Sequence, residues 1–168
     1  MGFTAAGIAF DTVTNESTAG ADDASQLAPL GFELTRESTV ADEGMQTWIY
    51  VKANGNLTAG MVVSKGDGVT TYKDVIPAPN SSDPARVVGV VVNAIDDNGF
   101  GFLLRKGVCD VQAGASTGTG ANLGCTVTTN GSDVGQAQKV AAVTGNSFGV
   151  TMTAATSGTV KAHINCEG

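Results

Sequence analysis

The chain has 168 residues, long enough to bury the core of one ordinary domain, and its net charge is −7 with only 15% charged residues. The chain holds 23 glycines, 20 valines and 20 threonines against 7 leucines, a balance that favours pleated strands and tight turns over helices. A surface so poor in lysine and glutamate suits a protein packed in an assembly. An acidic chain also repels a polyanion, which argues against direct nucleic-acid binding.

The charge is unevenly placed. Residues 1–44 hold eight carboxylates and a single base, Arg36, whereas residues 45–168 hold eight acids and eight bases. Residues 1–29 are small, polar and acidic, show no hydrophobic period and end at Pro29, so they read as an extended N-terminal arm. Within it Phe3, Ile8 and Phe10 are the apolar groups able to fill pockets on a partner. Asp22 and Asp23 are the carboxylates able to meet a basic patch there. The opening MGFTAAGIAF lacks the basic flank and apolar length of a signal peptide, and no stretch reaches the ~20 apolar residues of a membrane span. The expectation is synthesis in a cytoplasm and no membrane partner.

Residues 30–168 read as one β-rich domain, with its body over 45–168. TWIYVKA (47–53) alternates Trp48, Tyr50 and Lys52 against Ile49 and Val51, and NGN (54–56) turns it. AGMVVSKGDG supplies a short strand and a corner, and PAPNSSDP (77–84) is a loop by composition. RVVGVVVNAI is an apolar run of strand length, and FGFLLRKG returns from it after DDNG (96–99). A calcium loop of the EF-hand kind needs alternating ligands and a Glu six residues beyond the Gly. Here Asp96 and Asp97 are adjacent and position 105 is Arg, so DDNG is a turn. The fold class expected is all-β, a small barrel or sandwich of short antiparallel strands.

The hairpin occurs twice. GVVVNAIDDNGFGFLLRKG and GVTMTAATSGTVKAHINCEG (149–168) share Gly-Val, an Ala four residues on and a Gly-containing turn. Their return strands align Phe100, Phe102 and Leu104 with Val160, Ala162 and Ile164.

Motifs for chemistry are weak. GTGANLG (118–124) has the wrong spacing for a dinucleotide loop and reads as a β–β connection. Cys109, Cys125 and Cys166 are odd in number and widely spaced, without the pairing of a zinc site. His163 is the single histidine and has no nucleophile or metal-ligand partner near it in sequence. No catalytic, cofactor or metal residue is assigned, and no enzymatic activity is expected.

The order LGFELTRE…GMQTWIYVKANGNLTAGMVV, then RVVGVVVNAIDDNGFGFLLRKGVCDVQAGASTGTG, then FGVTMTAATSGTVKAHI resembles the capsid decoration, or cement, proteins of tailed phages. The resemblance covers about residues 30–168 and rests on structural glycines and apolar strands. It implies a homotrimer on the outer surface of a virion, with the major capsid protein as partner, bridging capsomers. A tail, head-fibre or receptor-contacting component is the alternative, and a small β-barrel hydrolase is a third.

Overall fold

The computed structural model describes Gln26 and residues 28–66, 74–79, 86–114, 117–125, 134–140, 147–155 and 158–166. Among these residues there are ten strands and no α-helix. They are β1 (Glu33–Glu37), β2 (Met45–Lys52), β3 (Val62–Lys65), β4 (Val75–Pro77), β5 (Val87–Val91), β6 (Phe100–Ala113), β7 (Asn122–Cys125), β8 (Ala137–Lys139), β9 (Gly149–Thr151) and β10 (Gly158–Asn165).

The pairings close on themselves, so the architecture is a barrel rather than a sandwich. β6 pairs with β10, β10 with β9, β9 with β7, β7 with β8, and β8 returns to β6 through a parallel Ala113–Ala137 pair. The first half of the chain repeats this ring. β2 pairs with β6, β6 with β5, β5 with β3 and β3 with β4, and a parallel Ala53–Val75 bridge leads back to the end of β2. The same bond seals both rings. Asn54 N donates to Val75 O at 2.8 Å in the first, and Gly114 N donates to Ala137 O at 3.0 Å in the second. β1 lies outside both and, among the described strands, pairs with β2.

What is duplicated is therefore the whole five-strand unit, not only the hairpin legible in the sequence. The Leu57–Ile95 bridge recurs sixty positions on as Thr117–Ala155. The Gly60 N to Val91 O bond recurs as Gly120 N to Thr151 O. Gly60 and Gly120 have left-handed φ of 83° and 70°, a conformation that glycine adopts without a Cβ clash. β6, at fourteen residues the longest strand, serves both units: its first half ends the first barrel and its second half begins the other.

The return strands superpose one residue away from the alignment expected from sequence. Val51 faces Gly101 and Ile49 faces Leu103 in the first barrel, while Val111 faces Val160 and Cys109 faces Ala162 in the second. The counterparts of Val160 and Ala162 are thus Gly101 and Leu103, because the two turns differ in length by one residue. Phe102 and Leu104 belong to the other face of β6.

The first barrel's interior is a separate cluster: Ile49, Val51, Ala53, Leu57, Val63, Val75, Val88, Val91, Ile95 and Leu103, all 0–4% exposed. The second is filled at matching positions by Cys109, Val111, Ala113, Leu123, Ala137, Phe148 and Ala162, within a larger cluster that also holds Trp48, Tyr50 and Leu104. Each ring encloses an apolar core in which β-branched and small side chains predominate, and close packing fills it at low entropic cost.

DDNG is a turn, as its residues require. Gly99 N donates to Asp96 O at 3.0 Å and Asn98 takes a left-handed φ of 66°. Its carboxylate also ties two turns together. Gly55 N donates to Asp97 Oδ1 at 2.6 Å, and Asp97 N donates to Asn56 Oδ1 at 2.9 Å.

Candidate interaction surface

The two barrels have equivalent outer faces with different chemistry. In the first, one cross-strand row runs Val62, Val90, Leu104, Trp48, each 0–2% exposed. Ala28, Leu30 and Leu34 pack in the cluster that contains this row, and Gly31 N donates to Tyr50 O beside it. In the second barrel the equivalent row is Asn122, Val150, His163, Val108. There Val150 is 42% exposed, His163 is exposed and Asn122 half-buried. The neighbouring pair Tyr50–Phe102 is replaced by Asp110–Lys161. Met152, 49% exposed, donates its backbone N–H to Lys161 O. This face mixes polar groups with two exposed apolar side chains, the composition of an interface rim rather than of a core.

The β1–β2 hairpin reaches from the first barrel to the edge of this face. At its foot, Leu34 packs against the core and the Glu33 carboxylate pairs with Arg105. At its tip, Asp42 (φ 68°) and Gly44 (φ 67°) both take left-handed backbone conformations on either side of Glu43. A non-glycine residue in that region is costly, and here the bend turns Glu43 inward. Its carboxylate, with the side chain only 10% exposed, accepts from Lys161 Nζ at 2.7 Å, Ser38 Oγ at 2.9 Å and Gln46 Nε2 at 3.2 Å. Gln46 also donates to Val108 O at 3.0 Å, which fixes the base of the tip to β6. The hydrogen bond to Glu43 is the main cause of the raised Lys161 pKa, with Asp110, 3.7 Å away, adding to it.

Beneath the tip lies a cavity of about 450 Å3. The tip contributes Arg36, Ser38, Val40 and Glu43, the first barrel Trp48, Gly60, Val91 and Val92, and the second Val108, Cys109, Asp110 and Lys161. The Trp48 indole Nε1 is buried and has no acceptor among the described residues. Burial above all, with Cys166, Asp110 and Glu43 adding and Lys161 opposing, holds the Cys109 thiol well above its ordinary range. Burial therefore favours the protonated thiol of Cys109 over the more reactive thiolate.

The sequence-based candidates Phe3, Ile8, Phe10, Asp22 and Asp23 lie outside the described residues. The residues that the structure brings together, Glu43, Gln46, Lys161, Val150 and Met152, were not singled out from sequence. The DEG tripeptide at 42–44, an acid beside a glycine between two alternating segments, was the available signal for the hairpin tip.

No known protein family matches this chain, and no curated protein matches it. Among solved structures it is similar to the head fiber gp8.5 N base of bacteriophage phi29, with 18% identity and a TM-score of 0.51. The match covers 72% of this chain and 95% of that one, and at this identity what is shared is the fold.

Proposed function

We propose that this protein is a non-enzymatic structural component of a phage virion, seated on the outer surface of the head as a homotrimer and contacting the major capsid protein. The observation that carries the reading is the fold in common with a head-fibre base over nearly all of that chain. The outer face of the second barrel supports it, because Val150 and Met152 are exposed where the first barrel's counterparts are covered. A decoration protein of this kind clamps neighbouring capsomers. Each interface needs only the area of an ordinary protein contact, since repetition over a shell multiplies its effect. Phe3, Ile8, Phe10, Asp22 and Asp23 are proposed as partner contacts on the arm, where the apolar side chains set the off-rate and the carboxylates speed encounter.

The same observation favours a second reading, the base of a head fibre. Cryo-electron microscopy of the virion separates the two. Regular density across capsomer boundaries over the whole shell is the expected result for decoration, and density confined to fibre attachment points would establish the second reading. A head without density for this chain would refute both.

A further inference from the structure

We propose that the second barrel carries an open strand slot at Asp110, and that residues 1–10 of a neighbouring copy fill it by pairing with β6. The proposal rests on the homotrimer reading above and names the partner that receives the apolar side chains of the arm.

The slot emerges from the two barrels at equivalent positions. In the first, Tyr50 N donates to Phe32 O at 2.9 Å and Gly31 N donates to Tyr50 O at 2.8 Å. The segment that leads into β1 thus covers the outer edge of β2, and the β1–β2 ladder continues the cover to Met45. Asp110 is the counterpart of Tyr50 on β6. Two residues to either side of it, the β6 backbone is bonded away from β10: Gln112 N donates to Gly60 O, and Val108 O accepts from Gln46 Nε2. Alternation within an antiparallel pair gives Asp110 the same direction, so its N–H and C=O face away from β10. Among the described residues no strand pairs with β6 there. The cavity beneath the hairpin tip occupies this place, with Gln46 and Gly60 in its lining. Thr39, Asp110 and Thr159 line it too and are exposed, so it opens to solvent with the hairpin where it stands.

An open edge of this kind takes an extended polypeptide whose main chain supplies the bonds. The lining selects which one. Arg36 and Lys161 balance Glu43 and Asp110, so the cavity has no net charge to attract an ion. Residues 1–10, MGFTAAGIAF, contain no charged side chain, whereas residues 11–25 hold four carboxylates. Ala5, Ala6 and Gly7 are small enough to pass between Gln46 and Gly60, which leaves Phe3, Ile8 and Phe10 for apolar lining such as Val40 and Val92. Direction makes the donor another copy. Traced backwards from β1, the chain passes Tyr50 and moves away from Met45, the end of β2 next to the slot. Residues 1–25, fully extended, span about 80 Å, enough to reach an adjacent subunit. Handed on from copy to copy, the contact closes into a three-membered ring.

Amide hydrogen exchange of the full-length protein, resolved by NMR, tests the slot. The Asp110 amide should exchange at least about tenfold more slowly in wild type than in the double variant Ala5→Pro, Gly7→Pro, whose prolines cannot donate to a strand pair. Both substitutions lie outside the ten described strands, and Tyr50, bonded to Phe32 O, should exchange alike in the two proteins. Disulfide trapping identifies the donor. Oxidation of the double variant Ala6→Cys, Thr159→Cys should give covalent trimers that neither single variant forms. A disulfide closed within one chain would overturn the exchange, and so would an Asp110 amide equally fast, or equally slow, in wild type and the proline variant. Light scattering separates this result from the reading beneath it. A monomeric wild type ends the homotrimer and the exchange with it, whereas a trimer whose Asp110 amide ignores the prolines ends the exchange alone.

Discussion

Among the described glycines, Gly89 is the one where an added side chain would meet backbone most closely. A Cβ there would stand 2.6 Å from the Leu104 carbonyl oxygen and 3.0 Å from Leu103 Cβ, both on β6. The obstacle is backbone, in the strand that both barrels share, so no rotamer change relieves it. β5 would have to move away from β6, disturbing the Val90–Leu104 and Val91–Leu103 pairs and the packing of Leu103 inside the first barrel. Overpacking of this kind costs about 3 kcal/mol, a large share of the 5–15 kcal/mol typical of a whole domain. For a chain of this size that corresponds to a fall in Tm of about 6–12 °C. Gly118 is the control, since nothing lies within 4 Å of a Cβ built there. Gly118→Ala should be neutral or slightly stabilising through its effect on the unfolded chain. Urea unfolding followed by fluorescence of the single tryptophan, Trp48, 2% exposed in the fold, measures both variants. A Gly89→Ala cost below about 0.5 kcal/mol, or a Gly118→Ala cost equal to it, would refute the close-approach argument.

Other outcomes follow from the same structure. The raised Cys109 pKa means that the folded state holds its proton where the unfolded chain has lost it. That contribution is complete below the thiol's ordinary value and fades as pH rises, by about 1 kcal/mol between about pH 8.5 and 9.5; denaturation at the two pH values should show this loss, and Cys109→Ala should flatten it. Val150→Asp with Met152→Asp, on an exposed face, should leave Tm nearly unchanged but reduce binding to capsids in a pelleting assay; undiminished binding would remove this face from the proposed interface. Because β6 belongs to both rings, tryptophan fluorescence and far-ultraviolet circular dichroism should report one coincident urea transition. Two separated transitions would show that the barrels fold independently.

The β class and several strands could be read directly from the sequence. TWIYVKA alternates because one side of β2 fills the first barrel with Ile49 and Val51 while Trp48 and Tyr50 pack in the other cluster. DDNG and NGN signal their turns because asparagine and glycine tolerate left-handed φ, and the structure sets the two turns against each other. Other features left little local trace. β1 is ELTRE, charged at three of its five positions, and it forms because Leu34 reaches the core and its ladder aligns with β2. The full duplication was hidden because strand pairing, not side-chain identity, is what repeats. Leu104 becomes His163, Phe102 becomes Lys161 and Tyr50 becomes Asp110, so half of the pattern reverses its polarity. Glu43 and Lys161 stand 118 positions apart and no periodicity connects them.

That reversal of polarity is where the duplication acquires a use. Two identical barrels would each need a cover for an apolar outer face, and among the described residues Ala28, Leu30 and Leu34 supply one at the first. The second has shed most of the need by placing Asn122, His163, Lys161 and Asp110 on its face, which water solvates at little cost. Val150 and Met152 keep apolar side chains exposed among those groups, and Met45 and Val40 do the same on the hairpin beside them. A face of scattered apolar contacts within solvated polar groups can be buried and released without unfolding. The ring interiors, by contrast, contain no charged residue among their clustered side chains, so the rigidity of the body does not depend on whether that outer face is occupied.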